Sequence, residues 1–409
     1  MAKHLYTEHN TIRGGEWKYM DKRINVRFFD KNLKFIGELD AYEGLEFITR
    51  WTKYGTFQIF VYKITEQMKI GNYIMLDNDR RKSGIIKRIE CSDDDNNVTA
   101  TISGYTLLHL LTQRITYPPS APAMSHYRFH DRAETIICNL VKLNATNAAV
   151  ANRNIPYLRV KESKRRGDVV YFQTRYDNLD EAITTLCEAS GLGVSISLIP
   201  EEQELLFEVL EGVDRSANQT KRPPMIFNVD YDNVSNREFI SDITEYKNTA
   251  IVAGQGEGVN RRIRYVGNEN SGMNRYELFV DARDIEDDTA LPDRGKSKLA
   301  ECACSDTYSS EVDAAQYKTK WDLGDIVVTI DREYAVNINE RIVEITEMFD
   351  ENGYAISPTF GTTQKTILEK ISGSMMGFAE SKQGEKGEDG KTPQLMINAD
   401  GHLIAIYED

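Results

Sequence analysis

Residues 24–61, INVRFFDKNLKFIGELDAYEGLEFITRWTKYGTFQIFV, decide the fold class. Ile24, Val26 and Phe28 alternate with polar neighbours, as do Leu33, Phe35 and Leu39 after the turn-prone Asp30-Lys31-Asn32, and then Phe57, Ile59 and Val61. A period of two turns one face of each segment inward, which is the signature of strands.

The same grammar continues outward. Ile74 and Leu76 lead into the polar tip DNDRRKSG, and Ile85, Ile86 and Ile89 follow. DDDNN then separates these from Val98, Ala100 and Ile102. Short strands at regular spacing predict a small barrel or sandwich over roughly 24–104, with a short helix at Thr106 to Thr112. The stretch YPPSAPAM concentrates Pro118, Pro119 and Pro122, none of which continues a helix or central strand, and reads as a linker.

Beyond it the pattern is α+β. Asp131 and Glu134 form a capping pair for a helix whose inner face is Ala133, Ile136, Ile137, Leu140 and Val141. A second helix opens at Asn178 and Glu181, buries Leu179, Ala182, Ile183 and Leu186, and stops at Gly191. Val194, Ile196 and Leu198 then alternate into the turn PEEQE, and Leu206 to Leu210 returns. DRSANQTKRPP reads as a second linker, and Met225 to Phe360 is again mostly strands, the last pair joined at Asn352-Gly353. Residues 1–23 show no periodicity and read as an arm.

The 409 residues exceed the usual single domain, and 40% hydrophobic with 28% charged residues excludes wholesale disorder. Fifty basic against 64 acidic residues leave a net charge of −14, which disfavours general binding to nucleic acid or an anionic membrane. Neither an apolar run of bilayer-spanning length nor a signal peptide is evident, so a soluble protein made in a cytoplasm is expected. Cys91, Cys138, Cys187, Cys302 and Cys304 lack zinc or disulfide spacing and are expected to be reduced.

No motif declares an enzyme, a cofactor or a metal. Gly254-Gln255-Gly256-Glu257-Gly258 follows a strand, but VNRRIRYV after it reads as another strand, so a hairpin turn is expected there instead of a phosphate cradle. Gly295-Lys296-Ser297 ends like a P-loop, yet Ala290 stands where the upstream glycine belongs. Asp93, Asp95 and Asn97 open like a calcium loop, but Val98 and Gly104 occupy the turn-glycine and bidentate-glutamate positions. His126 and His130 lack a third ligand and read as surface histidines. Trp17, Trp51 and Trp321 could stack on sugars, although Trp51 and Trp321 lie beside strands and read as core.

Gly384, Gly387 and Gly390 recur every third residue in GEKGEDGKT. That spacing suits three polyproline-like chains round a common axis, and a polar linker is the other reading. Leu395 and Ile397, then Leu403, Ile404 and Ile406, flank the turn Ala399-Asp400-Gly401 and predict a terminal β-hairpin.

Taken together, YEGLEFITRWTKYGTFQIFV (42–61), VTATISGYTLLHLLTQRI (98–115), YDNLDEAITTLCEASGLG (176–193), FEVLEGVDRS (207–216), YKNTAIVAGQGEG (246–258), RYELFVDARDI (275–285), WDLGDIVVTI (321–330) and ERIVEITEMFDENGYAISPTFG (340–361) resemble siphophage tail-tip hub, or tail-associated, proteins. These are related in fold to the baseplate hub of contractile tails. The resemblance implies a mostly β, α+β chain: two barrel-like β domains (24–116 and 225–362) flanking an α/β insertion (126–212). A connecting segment (363–380) and a collagen-like and β-hairpin C-terminal stub (381–409) would follow. It further implies a non-enzymatic virion structural protein, assembled in the host cytoplasm as a homotrimer whose six barrels match a sixfold tail tube. The implied partners are the hexameric distal tail protein, the tape-measure carboxyl terminus, a tail fibre or receptor-binding protein at the stub, and DNA only in transit. With about 45 residues after Gly361, no hydrolase domain is expected there. The alternatives are a cell-wall carbohydrate-binding or peptidoglycan-degrading tail protein, and the same hub in a contractile tail.

Overall fold

Alternating apolar and polar residues form strands wherever one face can be buried, and the first block obeys that rule. The computed structural model describes residues 24–361, apart from 95–96, 119–125, 232, 284, 286–287, 301, 303–304 and 352, and then residues 394–397 and 403–406. The first block holds β1 (Val26–Phe29), β2 (Phe35–Leu39), β3 (Gly44–Arg50), β4 (Thr56–Val61), β5 (Tyr73–Leu76), β6 (Ser83–Asp94) and β7 (Asn97–Thr106). In β4, Phe57, Ile59 and Val61 are buried while Gln58 and Phe60 face out. A 3-10 turn at Leu107–Gln113 stands where a short helix is predicted.

The middle segment holds β8 (Tyr127–Arg132), α1 (Ala133–Val141), β9 (Leu158–Val160), β10 (Val169–Thr174), α2 (Leu179–Ser190), β11 (Gly193–Ile199) and β12 (Glu204–Leu210). Strands β8 and β10 pair antiparallel, and β12 lies between β11 and β9. The ends of α2 are as predicted: the Asn178 side chain accepts from the Asp180 N–H, and Gly191 closes the helix in the left-handed region at φ 70°. The predicted capping pair of α1 is not formed. Asp131 lies in β8 and pairs with Arg165 at 3.1 Å, while Glu134 is buried against Arg166 at 2.8 Å. Each carboxylate finds a charged partner instead of the helix N-terminus.

The last block holds β13 (Ile226–Asn228), β14 (Val234–Asp242), β15 (Thr249–Ala253), β16 (Ile263–Val266), β17 (Glu277–Asp281), α3 (Leu291–Ala300), β18 (Ser305–Val312), β19 (Ile326–Asp331), β20 (Val336–Asp350) and β21 (Gly353–Gly361). The segment before it is not a free linker. Arg215 pairs with Asp325 at 2.7 Å, Asp214 bridges Ile326, and Ser216 is buried.

Thirteen of the described strands form one sheet, in the order β14-β18-β21-β20-β3-β4-β7-β6-β5-β1-β2, with β19 on β20 and β13 on β19. The path does not return on itself, so no closed barrel is found among the described residues. Strand β3 pairs antiparallel with β20, Arg50 opposite Glu344 and Leu45 opposite Phe349, which runs one sheet through both β-rich blocks. One core follows it, with Phe28, Phe47, Phe57 and Ile59 packed in the same cluster as Trp321, Ile345, Ile356 and Phe360. A second core joins Leu107, Leu108 and Leu111 to α1, α2, β11 and β12. A third, small one lies where α3 covers the sheet β16-β15-β17.

The chain divides into two compact units, Met1–Thr363 and Gln364–Asp409. In the second, β22 (Gln394–Ile397) and β23 (Leu403–Ile406) pair antiparallel, the hairpin that the sequence predicts. No helix among the described residues is long and apolar enough to cross a membrane.

Candidate functional site

Three parts of the chain meet at Trp51, the residue immediately after β3. Its N–H donates to the Val343 carbonyl of β20 at 2.9 Å, and its carbonyl accepts from the Val194 N–H of β11 at 3.0 Å. The first block is thereby tied by backbone to both of the others. The indole is 3% exposed, and its Nε1–H donates to the Gly191 carbonyl at 3.3 Å.

Glycines make room for the ring. A Cβ at Gly193 would lie 2.4 Å from the indole Cδ2, and one at Gly324 would lie 2.2 Å from its Cζ3. Gly324 also has φ 88°, a conformation a side chain would strain. The Arg341 guanidinium stands 5.5 Å from the ring centre and donates to the Gly324 carbonyl.

Beside this joint opens a cleft of about 520 Å³ lined by all three parts. Several of its charges are paired, most of them across the seams. Arg81 of the first block and Lys161 of the middle segment both reach Glu208 at 2.8 Å. Burial alone would raise the Glu208 pKa, but Lys161 and Arg81 outweigh it and hold the carboxyl below its ordinary value. Lys318 pairs with Asp79, and Arg50 with Glu344 at 2.6 Å, so the last block is pinned to the first. Glu347, 1% exposed, takes Lys82 at 2.5 Å and the Tyr354 hydroxyl at 2.7 Å. Burial and that carboxylate push the Tyr354 phenol well above its ordinary pKa. Asp325 accepts from the Val213 N–H and from Arg215, at 2.8 and 2.7 Å. These groups face one another and hold a geometry; they are not arranged as nucleophile and base around a reacting atom.

The residues singled out in the sequence fall as follows. Gly254 to Gly258 open the connection between the antiparallel pair β15 and β16, as the hairpin reading requires. Gly295, Lys296 and Ser297 lie inside α3, a helix that the sequence reading missed. Asp93 and Asn97 belong to the β6–β7 hairpin, and among the described residues no group of three or more His, Cys, Asp or Glu could hold a metal ion. His130 sits on β8 and stacks on Tyr171 at 3.8 Å. Trp321, 1% exposed, packs edge-on to Phe227 at 5.7 Å, so both Trp51 and Trp321 are core residues with no face for a sugar. Cys91, Cys138 and Cys187 are free thiols. Trp17, Gly384, Gly387 and Gly390 lie outside the described residues.

A family model described as "Siphovirus ReqiPepy6 Gp37-like protein" matches residues 25–362, the larger part of the chain. The chain belongs to this Gp37-like family. No curated protein matches it. Among solved structures, this Gp37-like chain is similar to the 43 kDa tail protein of prophage MuSo2 from Shewanella oneidensis, at 14% identity and a TM-score of 0.54, over 83% of this chain and 97% of that one. It is similar to the tail protein from Neisseria meningitidis MC58, at 14% identity and a TM-score of 0.52, with the same coverages of 83% and 97%. It is also similar to prophage tail protein gp18 from Listeria monocytogenes EGD-e, at 12% identity and a TM-score of 0.50, over 88% and 100%. At such identities the likeness is one of fold. The resemblance read from the sequence is borne out: a siphovirus family, with the fold of prophage tail proteins.

Proposed function

We propose that the Gp37-like chain is a non-enzymatic structural protein of the virion tail: a homotrimeric hub that closes the tail tube at its tip. Each chain brings two β-rich blocks, so three chains present six around an axis, which is how a threefold assembly meets a sixfold tube. In this reading the barrel-like character belongs to the assembled ring. The hexameric distal tail protein lies above the ring and the tape-measure carboxyl terminus reaches into it, until opening of the hub releases the genome. The carboxyl-terminal stub, with Gly384, Gly387 and Gly390 on the axis, anchors a fibre or receptor-binding protein.

The observation that best supports the reading is the β3–β20 pairing, which makes the two β-rich blocks one continuous sheet. Blocks fixed in this way can act as adjacent sectors of a ring without a hinge between them. The seam charges, paired across Trp51, serve the same end.

The test is immunogold labelling of intact particles with antibody against the purified chain. Label confined to the tail end distal to the capsid supports the hub. Label along the tube, or on the capsid alone, refutes it.

A further inference from the structure

Three arginines that form no ion pair among the described residues, Arg114, Arg153 and Arg175, lie about a pair of tyrosines where the first block meets the middle segment. Tyr176 is held in place by a built network. The Thr116 and Thr174 hydroxyls lie 2.7 Å apart, Thr174 donates to Asp177 Oδ2 at 2.6 Å, and the Asp177 N–H donates to Thr116 Oγ1 at 3.2 Å. The Tyr176 N–H also donates to the Thr116 carbonyl at 2.7 Å. Within this frame Tyr176 adopts φ 61°, a left-handed conformation costing a bulky residue about 1 kcal/mol or more. Its side chain nevertheless points outward, 52% exposed. A glycine would fill the turn without strain, so the ring is carried at a cost to stability.

Tyr176 lies 5.9 Å from Tyr117, with the planes tilted by 39°. The Arg175 guanidinium is 4.7 Å from the Tyr176 ring centre, and that of Arg153 is 5.0 Å from the Tyr117 ring centre. Tyr127 closes the inner edge, its hydroxyl donating to the Tyr117 carbonyl at 2.9 Å.

Among the described residues the partners of these cations are neutral. Arg153 donates to the Ile115 carbonyl at 2.5 Å. Arg114 donates to the carbonyls of Arg153 and Gln113 at 2.5 and 2.9 Å, and Arg175 reaches the Tyr176 hydroxyl at 3.4 Å. Among the described residues none of the three forms an ion pair. Burial, and then the neighbouring Arg153, hold the Arg114 pKa below its ordinary value, as expected of like charges set together. In a chain with 64 acidic residues, three clustered arginines lacking a carboxylate mark a place for an anion.

We propose that this surface binds an acidic saccharide: one sugar ring lies against the tilted tyrosine pair, and its carboxylate or phosphate is taken by Arg153 and Arg114, with Arg175 alongside. The aromatic faces favour a sugar ring over a nucleic-acid base. A pyranose needs only one apolar face, which the outward Tyr176 ring presents, whereas the 39° tilt denies a base the two-sided stack that would hold it most firmly. This inference is independent of the hub reading.

The experiment is calorimetric titration of the full chain with a glucuronate tetrasaccharide, a neutral glucose tetrasaccharide, inorganic phosphate and oligothymidylate. The acidic saccharide is expected to bind about tenfold or more tightly than the neutral one and than phosphate, a ratio set by a charge-assisted hydrogen bond together with a stacked ring. Tyr176→Gly is expected to weaken it about tenfold while the melting temperature holds or rises, because glycine accepts this φ. Arg153→Gln is expected to abolish the preference for the acidic sugar. No binding of the acidic saccharide, binding no tighter than that of phosphate, tighter binding of oligothymidylate, or undiminished binding by folded Tyr176→Gly would each overturn the proposal.

Discussion

Substituting Gly193→Ala would put a methyl group 2.4 Å from the Trp51 indole, where carbon atoms ordinarily stand about 3.5–4.0 Å apart. The overlap exceeds roughly 1 Å, and the ring has nowhere to go. Gly324 also approaches the six-membered ring closely, and a sideways move stretches the 3.3 Å bond to the Gly191 carbonyl. Overpacking of this kind costs about 1–3 kcal/mol, and a pinned ring belongs at the upper end. Trp51→Ala empties the slot instead and costs about 3–5 kcal/mol. In the double variant the new methyl group enters the emptied space, so the two losses fall short of their sum by about 1 kcal/mol or more. Urea unfolding of the four proteins, followed by far-ultraviolet circular dichroism, measures this cycle. Gly193→Ala within about 0.5 kcal/mol of the parent, or a strictly additive double variant, would refute the claim that this joint is a tightly packed junction.

Three further outcomes follow from named contacts. Glu347→Gln removes the ion-pair partner of Lys82 at a site where the lysine side chain is 13% exposed, and is expected to cost about 3 kcal/mol in the same unfolding assay, with much of the loss recovered in Lys82→Met/Glu347→Leu. Burial would raise the Glu134 pKa, but the hydrogen bonds from Arg166 prevail and hold it below 4.5; the stability it contributes is therefore present above that pH and lost as pH falls through the lower folded value, so Glu134→Gln is expected to flatten the dependence of stability on pH in that acid range. Gly295→Ala gains about 1 kcal/mol of helix propensity but places a methyl group 2.7 Å from Val252 Cγ2 and 2.9 Å from Val266 Cγ2; net destabilisation is expected, seen as faster amide exchange in β15 and β16 with the large sheet unchanged.

Much of the fold is written in local pattern. The Asn178 cap and Gly191 stop of α2, the β15–β16 hairpin and the alternation in β4 each depend on neighbours within a few residues. What escaped the sequence depends on distant partners. Arg50 and Glu344 are 294 residues apart, and nothing local tells β3 that its neighbour is β20; two separate barrels were therefore expected where one open sheet runs through both blocks. Helix α3 was missed because Pro292 and Gly295 are poor helix residues, and Gly295 is explained only by its close approach to Val252 and Val266. The capping reading of α1 failed because Arg165 and Arg166, more than thirty positions along the chain from Asp131 and Glu134, compete for both carboxylates. The cleft was illegible for the same reason, since its lining comes from three parts of the chain. The tyrosine and arginine surface needed the turn at Thr174 to Asp177 and the Thr116 hydroxyl to bring its members together.

The most direct test of the hub is the mass of the purified full chain in solution by light scattering, across a concentration series and with a second form lacking residues 381–409. Three times the 46.7 kDa of the chain, for both forms, is the predicted result, with the main interface in the β-rich blocks. A monomer at every concentration, or a stable assembly of any other order, would contradict it.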